Sequence, residues 1–400
     1  MLREGGTKPG GGVGGEGMAG TAFSRGRLMR VGWVVDGGLD QLSGGYLYDR
    51  IVVDYLRRNG VGLEVVSLPV GSYLARLARN LQADVDRRLE EAGFDVLVED
   101  ELSHPALIGP NRRLARRVPR LRRIGLVHHL RSSEPHGWAA NLVYRRIERA
   151  YLDSLDAFIF NSRTTEQVVR GIVGVRAPGV VAVPGADRLP STIDDQAIAA
   201  RARDPGSMRV LFVGSLISRK GLPTLIEAVA RLPPGSAQLT VAGDPRADPT
   251  HARRVRRLVR RHRLDGAVHF VGALDPRRLS QVMSAHHLTA MPSSYEGYGM
   301  AYLEGMGHGL PAIAGAAGGA AEFVREGENG FLVDPGDPVA LADHLLTLHQ
   351  DRARLARLGL AARRTYRAHP TWDDTGATIL GFLKSLMAGY GPLTGPPVLS

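Results

Sequence analysis

Two glutamates flank a glycine-rich segment whose residue types could bind a phosphorylated sugar. The segment reads Pro292-Ser-Ser-Tyr-Glu-Gly-Tyr-Gly-Met-Ala-Tyr-Leu-Glu-Gly-Met-Gly-His-Gly-Leu-Pro311. The apolar run 288–291 before it predicts a short buried strand, and the apolar positions after Gly299 predict a helix. Free N–H groups at the start of a helix suit a phosphate. We therefore predict an anion site whose amides come from Gly297, Tyr298, Gly299 and Met300.

The two carboxylates of this segment are the predicted partners of hydroxyl groups. Glu296 lies on the loop before the helix, and Glu304 lies within the helix. Carboxylates on both sides of a phosphate cradle match the needs of a nucleotide sugar, because its sugar and ribose carry hydroxyls that donate hydrogen bonds. We expect Glu296 to bind the sugar and Glu304 the ribose.

A basic turn earlier in the chain predicts a second contact with phosphate. The stretch Val213-Gly-Ser-Leu-Ile-Ser-Arg-Lys-Gly-Leu-Pro223 follows a predicted strand, 208–213, and precedes a predicted helix. Arg219 offers a planar fork of donors and Lys220 a compact point charge, a combination that could clamp a diphosphate. Gly214 ends the strand and would allow the close approach of a ligand.

These two segments closely resemble signatures of the retaining family 4 glycosyltransferases, which have the GT-B fold. The resemblance also covers Gly315-Ala-Ala-Gly-Gly-Ala-Ala-Glu322 and Asn329-Gly-Phe-Leu-Val-Asp-Pro335. It implies transfer of a sugar from a nucleoside diphosphate sugar to an acceptor, with retention of configuration and without a metal ion or other cofactor. It further implies a histidine facing donor and acceptor, here His128, and a glycine loop near the phosphates, here Gly44 and Gly45. Arg219, Lys220 and Glu296 complete the expected catalytic group.

Alternating strand and helix patterns predict two doubly wound parallel sheets, the α/β class. Ligands of such sheets bind beyond the carboxyl ends of the strands. The GT-B resemblance implies two Rossmann-like domains facing across a cleft, with a C-terminal helix that crosses back to the first. We place the boundaries as follows: a disordered tail at 1–27, an acceptor-side domain at 28–187, a linker at 188–206, a donor domain at 207–371, the crossing helix at 372–388 and a second disordered tail at 389–400.

The composition of the chain excludes some kinds of site and favours one cellular location. The 400 residues contain no cysteine, which excludes disulfides and thiolate metal sites and favours a cytoplasmic enzyme. The formal net charge of +11 reflects clustered arginines, notably between Arg112 and Arg123. This cluster favours peripheral contact with an anionic membrane, at the inner face.

Asp84-Val-Asp86 matches a short acidic metal motif, but it lies in a predicted helix, 74–92, and is interpreted as a solvated face.

Other functions remain open at the level of sequence. Another GT-B sugar-nucleotide enzyme, such as an epimerase, would share the fold, although the two glutamates argue against it. A basic nucleic-acid or anionic-surface binding protein would explain the charge, but no recognition motif supports it, and we expect no nucleic-acid partner. Neither the base and sugar of the donor nor the acceptor, which could be a lipid, a polysaccharide or a small molecule, follows from the residues.

Overall fold

The protein is described by a computed structural model. The structure describes residues 28–388 apart from Leu42, Pro135, Arg176 and Pro190. The two tails predicted to be disordered, 1–27 and 389–400, lie outside the described residues.

The first lobe is built on a six-stranded parallel sheet in the order β2-β1-β3-β4-β5-β6. Its strands are β1 Arg30–Asp36, β2 Gly62–Leu68, β3 Val96–Asp100, β4 Arg122–Val127, β5 Ala157–Phe160 and β6 Gly179–Val181. Its helices are α1 Gly44–Arg58, α2 Tyr73–Ala78, α3 Asp84–Glu91, α4 His104–Arg117, α5 Trp138–Leu152 and α6 Arg163–Val173. The central strands are apolar and buried, because helices cover both faces of the sheet.

The second lobe repeats this design with the order β12-β11-β10-β7-β8-β9. Its strands are β7 Met208–Val213, β8 Ala237–Ala242, β9 Val268–Gly272, β10 Leu288–Met291, β11 Ala312–Gly315 and β12 Gly330–Val333. Its helices are α8 Leu222–Arg231, α9 Pro249–Arg261, α10 Pro276–Ala285, α11 Met300–Gly307, α12 Pro338–Gln350 and α13 Arg352–Arg367. Two parallel six-stranded sheets confirm the predicted fold class.

The last helix, α14 Trp372–Met387, returns to the first lobe. A capping box between Thr371 and Asp374 starts it. Ile379 and Leu383 are fully buried in the same apolar cluster as the buried residues of α1. An ideal Cβ on Gly376 would lie 2.3 Å from the ring of Tyr55, so a glycine is what allows α14 to pack this closely on α1. The predicted crossing helix is confirmed.

The prediction of one continuous helix over 74–92 is wrong. It is divided into α2, a short 3-10 turn at Arg79–Leu81, and α3. Asn80 explains the break, because its side chain bonds to α4 instead of facing solvent: Oδ1 accepts from the Gly109 amide at 2.7 Å, and Nδ2 donates to the Pro105 carbonyl.

The interpretation of Asp84-Val-Asp86 as a solvated face is also wrong for Asp86. Its carboxylate is fully buried and accepts two hydrogen bonds from Arg113, at 2.7 and 3.0 Å, and one from Arg117 at 3.0 Å. Burial alone would raise its pKa, but the hydrogen bonds and charge of Arg113 lower it below the usual value. Part of the arginine cluster therefore serves to pair a buried acid.

The segment between the lobes contains more structure than its composition indicates. Residues 188–206 include a helix, α7 Asp195–Arg203, which packs against α13 of the second lobe. Ile198 and Ala202 are its buried positions, and the four-residue spacing between them places both on one face.

Among the described residues, no helix is long and apolar enough to cross a membrane.

A buried carboxyl in the first sheet makes stability depend on pH. Glu99 is fully buried, and burial raises its pKa to about 7 although Asn111 donates a 3.0 Å hydrogen bond to it. Its ionisation in the folded state is therefore unfavourable, and the native protein loses stability as pH rises from the unfolded pKa of Glu through about 7.

Glu99→Gln is expected to remove this loss. The advantage of the variant over wild type should grow by an amount on the order of 3 kcal/mol between about pH 4 and pH 8, the free energy that corresponds to the rise of the Glu99 pKa to about 7. Thermal unfolding of both proteins across this range measures the difference. Parallel pH profiles for the two would contradict the assignment.

Candidate functional site

The glycine-rich segment forms the centre of the site, at the carboxyl end of β10. Gly299 precedes α11 with φ of 102°, a left-handed conformation that disfavours any side chain. Gly318 also has a positive φ, and an ideal Cβ there would lie 2.0 Å from the Glu296 carbonyl oxygen. Gly318 therefore allows the loops after β10 and β11 to touch, and this contact fixes the position of Glu296.

Glu296 is a buried, ionised carboxylate. Its Oε1 accepts hydrogen bonds from Lys220 Nζ at 2.7 Å and from Ser293 Oγ at 2.6 Å, and its Oε2 lies 3.6 Å from Arg219 Nη1. Burial alone would raise the pKa of Glu296, but the charges of Lys220 and Arg219 lower it to about 2. A carboxylate held in this way is a poor base and a good acceptor for hydroxyl hydrogen bonds.

The cation pair comes from a tight turn after β7. Ser218–Lys220 form one 3-10 turn, and Gly221 follows in a left-handed conformation with φ of 69°. The Lys220 stem passes over Gly214, whose ideal Cβ would lie 3.3 Å from Lys220 Cε. The sequence segments around residues 219 and 296, far apart in the chain, are thus brought into direct contact.

The first lobe contributes a carboxylate that the sequence analysis missed. Glu134 Oε1 lies 3.2 Å from Arg219 Nε and 3.1 Å from His129 Nε2. Burial alone would raise the pKa of Glu134, but His129 and Arg219 lower it. The signal for Glu134 is weak in the sequence, because its partner lies on the other lobe. It joins the two lobes at the cation pair.

Two helix N-termini face one another across the cleft. An ideal Cβ on Gly44, the first residue of α1, would lie 3.0 Å from Met300 Cε at the start of α11. An ideal Cβ on Gly45 would lie 3.1 Å from the ring of His128, which belongs to the same lobe. Helix N-termini carry partial positive charge, so their approach to one another favours an anion between them.

His128 lies directly beyond β4 and is held by buried acids. Its Nε2 is 2.9 Å from Asp49 Oδ1, and its amide donates to Glu101 Oε2 at 2.8 Å. Burial lowers the pKa of His128 and raises that of Asp49 to about 7. With Asp100 these two side chains offer ligand atoms within 4.8 Å of one another, a geometry compatible with a cation as well as with a shared proton. The sequence analysis found none of these acids, because their contacts with His128 join residues that are far apart in sequence.

Glu304 and Tyr298 occupy different environments. Glu304 Oε1 accepts a 2.5 Å hydrogen bond from Arg188 Nε, and about 8% of its side chain is exposed. Tyr298 is buried against Phe323, and its hydroxyl lies 3.2 Å from His369 Nε2. The side chain of Tyr298 is therefore packed within the second lobe, and the carboxylate of Glu304 is buried against Arg188.

Direct contacts hold the two lobes close together. An ideal Cβ on Gly297 would lie 2.3 Å from the His128 carbonyl oxygen. Glu322, which the sequence shows only at the end of a family-like segment, crosses to the first lobe and accepts hydrogen bonds from the amides of Arg163 and Thr164, at 3.2 and 2.7 Å. It thereby caps α6 from outside its own lobe.

Family models match most of the chain. The model described as "Glycosyl transferase 4-like domain" matches residues 40–186, and that described as "Glycosyl transferases group 1" matches residues 194–365. A similar curated protein is the GDP-mannose-dependent alpha-(1-6)-phosphatidylinositol monomannoside mannosyltransferase of Mycobacterium tuberculosis. It is 29% identical over 286 residues, which cover 68% of this chain and 73% of that protein.

Solved structures show the same fold. Sucrose-phosphate synthase from Thermosynechococcus elongatus superposes with a TM-score of 0.75 at 22% identity, over 90% of this chain and all of that one. Anabaena Alr3699/HepE, solved in complex with UDP-glucose, gives a TM-score of 0.72 at 21% identity, over 89% of this chain and all of that one. The two family models together show that the chain is a glycosyltransferase of the glycosyl transferases group 1 family, and the likenesses to solved structures show that it has the GT-B fold.

Proposed function

We propose that the protein transfers a hexosyl group from a nucleoside diphosphate sugar to an acceptor hydroxyl, in the cytoplasm, with retention of anomeric configuration and without a divalent cation. The observation that carries this proposal is the pairing of Arg219 and Lys220 with Glu296, on the loop that leads into the N-terminus of α11. Two fixed cations and two sets of helix amides can stabilise the charge of a departing diphosphate, the role that a metal ion has in other transferases.

Each part of the site has a proposed task. Lys220 and Arg219 bind the diphosphate, with the amides of Gly297 and Met300 and the close approach allowed by Gly44. Glu296 Oε2 accepts a hydrogen bond from a hydroxyl of the donor sugar, and Glu304 accepts hydrogen bonds from the ribose. Because the pKa of Glu296 is about 2, we assign it neither base nor nucleophile function. The acceptor proton passes instead to the departing phosphate.

His128 is proposed to face the sugar and the acceptor from the first lobe. Its lowered pKa favours the neutral ring, which can hydrogen-bond a hydroxyl without carrying charge. Closure of the lobes excludes water and so favours transfer over hydrolysis. On donor binding, the diphosphate competes with Glu134 for Arg219.

Product analysis tests the proposal. The protein is incubated with GDP-mannose, UDP-glucose and other donors and a panel of acceptors, beginning with mannosylated phosphatidylinositol because the mycobacterial relative is named for that acceptor. The anomeric proton of the product is then read by NMR, with and without EDTA. We expect retained configuration and unchanged turnover in EDTA. An inverted product would overturn retention, and loss of turnover in EDTA would overturn metal independence. An epimerised donor in the absence of acceptor would overturn sugar transfer as the reaction.

Gly297→Ala tests the contact between the lobes. Its methyl group would collide with the His128 carbonyl, so the lobes must separate and the catalytic groups lose alignment. We expect kcat/KM to fall up to about a hundredfold, the effect of a misplacement near 1 Å. Gly266→Ala is the matched control, since no heavy atom lies within 4 Å of its ideal Cβ. Equal activities for the two variants would contradict a closed catalytic state with this geometry.

A further inference from the structure

The N-terminal half of α5 carries large apolar side chains that are exposed to solvent. Trp138 is 82% exposed, Val143 53% and Leu142 46%. Trp138 and Leu142 are four residues apart and share one side of the helix, and Val143 lies beside them. Three exposed apolar residues on one helical turn and a half are uncommon on a monomeric surface and mark an interaction site.

Two arginines follow these apolar residues. Arg145 and Arg146 are exposed and follow directly on the same helix. We use the name α5 ridge for Trp138, Leu142, Val143, Arg145 and Arg146. A tryptophan with aliphatic neighbours and adjacent basic residues is typical of helices that lie in the interface of a membrane.

Neighbouring elements extend the same surface. Tyr144 packs edge-on against Tyr73, with ring centroids 5.3 Å apart, so α2 lies beside α5. Arg131 lies over both rings. Leu74, the next residue of α2, is 77% exposed. The apolar surface therefore continues from one helix to the next.

A cavity lies beside the α5 ridge. It has a volume of about 570 Å³ and lies between α5 and α6, with Trp138, Leu142 and Ile172 in its wall. Ser133 also lines it.

We propose that the α5 ridge docks on the surface of an anionic phospholipid bilayer. Its arginines complement anionic headgroups, whereas they would repel the same face of a second copy of this chain, which has a net charge of +11. The apolar residues insert among the headgroups, and the cavity opens toward the lipid. This inference concerns membrane contact only, so it does not depend on the proposed catalytic details.

The Arg112–Arg123 surface, which the sequence favours for this role, fits it less well. Arg113 and Arg117 pair with the buried Asp86, and Arg123 pairs with Asp156 at 2.8 Å. Their charges are committed within the fold. The large exposed apolar residues of the described chain include none between 112 and 123.

Vesicle flotation of the full chain tests the proposal. Wild type should float with vesicles of phosphatidylcholine mixed with phosphatidylglycerol and remain behind with phosphatidylcholine alone. W138S/L142S and R145S/R146S should each lower the bound fraction at least about tenfold, and R112S/R116S, which removes equal charge from exposed positions of α4, should leave it near the wild-type value. Equal flotation with both lipids, or equal losses in the two double-arginine variants, would overturn the assignment to this ridge.

Tryptophan fluorescence supplies an independent reading in the same samples. The chain has three tryptophans, and Trp33 and Trp372 are buried, so Trp138 reports on its own exposure. Anionic vesicles should shift its emission to shorter wavelength, and brominated lipid should quench it; Trp138→Phe should remove both signals. An unchanged spectrum with bound vesicles would contradict insertion. If the protein associates with itself through Trp138 in the absence of lipid, the ridge binds a second copy of the chain, and the bilayer proposal is overturned.

Discussion

Lys220→Met is expected to lower kcat/KM for sugar transfer by about a hundredfold to a thousandfold, the usual effect of removing one preorganised group that stabilises developing charge. Lys220 Nζ is 2.7 Å from Glu296 and contributes half of the fixed positive charge supplied by side chains at the proposed diphosphate position. Its loss should affect the departure of the diphosphate more than the binding of substrate, so kcat should fall more than KM rises. Steady-state kinetics with the preferred donor measure both constants.

A double variant separates this effect from a loss of stability. Lys220→Met alone leaves Glu296 buried without its principal cation, which costs about 3–5 kcal/mol of stability. Lys220→Met with Glu296→Gln removes both charges together and should recover most of the melting temperature, while activity stays low. Near-normal turnover in the folded double variant would show that the pair has only a structural role.

Glu304→Ala is expected to weaken nucleotide binding by about tenfold to a hundredfold. One hydrogen bond to a charged acceptor contributes about 1.5–3 kcal/mol, and the ribose is proposed to donate such a bond to Glu304. The carboxylate is partly engaged by Arg188 at 2.5 Å, so the ribose must share it or displace the arginine. Titration calorimetry with the nucleoside diphosphate measures Kd without requiring an acceptor.

Two further variants make the Glu304 experiment specific. Glu328→Ala removes an exposed glutamate of the same lobe and should leave Kd unchanged. Arg188→Met keeps the carboxylate and removes its internal partner, so it should bind the nucleotide far better than Glu304→Ala does. If Arg188→Met and Glu304→Ala weaken binding equally, the ion pair itself, and not a ribose contact, is what the site requires.

The fold and the meeting of Lys220 with Glu296 could be predicted from the sequence because their signals are local. Alternating apolar runs specify the strands, and Gly299 and Gly221, near Glu296 and Lys220, have a left-handed backbone. The contact between Lys220 and Glu296 then follows from topology, since both residues lie at the carboxyl ends of adjacent parallel strands, β7 and β10.

The contacts of the first-lobe acids could not be predicted in the same way. Asp49 and Glu101 bind His128, and Glu134 binds Arg219, so each has a partner that is distant in sequence. Glu322 likewise acquires its partners from the other lobe. Asp86 is a different case. The charge-rich helical pattern around it predicts exposure to solvent, whereas two arginines of α4 cover its carboxylate.

The central claim is that a nucleoside diphosphate binds at Arg219, Lys220 and Glu296, and thermal stabilisation by a panel of nucleoside diphosphates tests it most directly. A ligand that binds only the native state raises the melting temperature by mass action. We predict a clear rise in wild type with one of GDP, UDP or ADP, and no rise with the same nucleotide in the Lys220→Met and Glu296→Gln double variant. No rise in wild type with any nucleotide, or an equal rise in both proteins, would contradict the account.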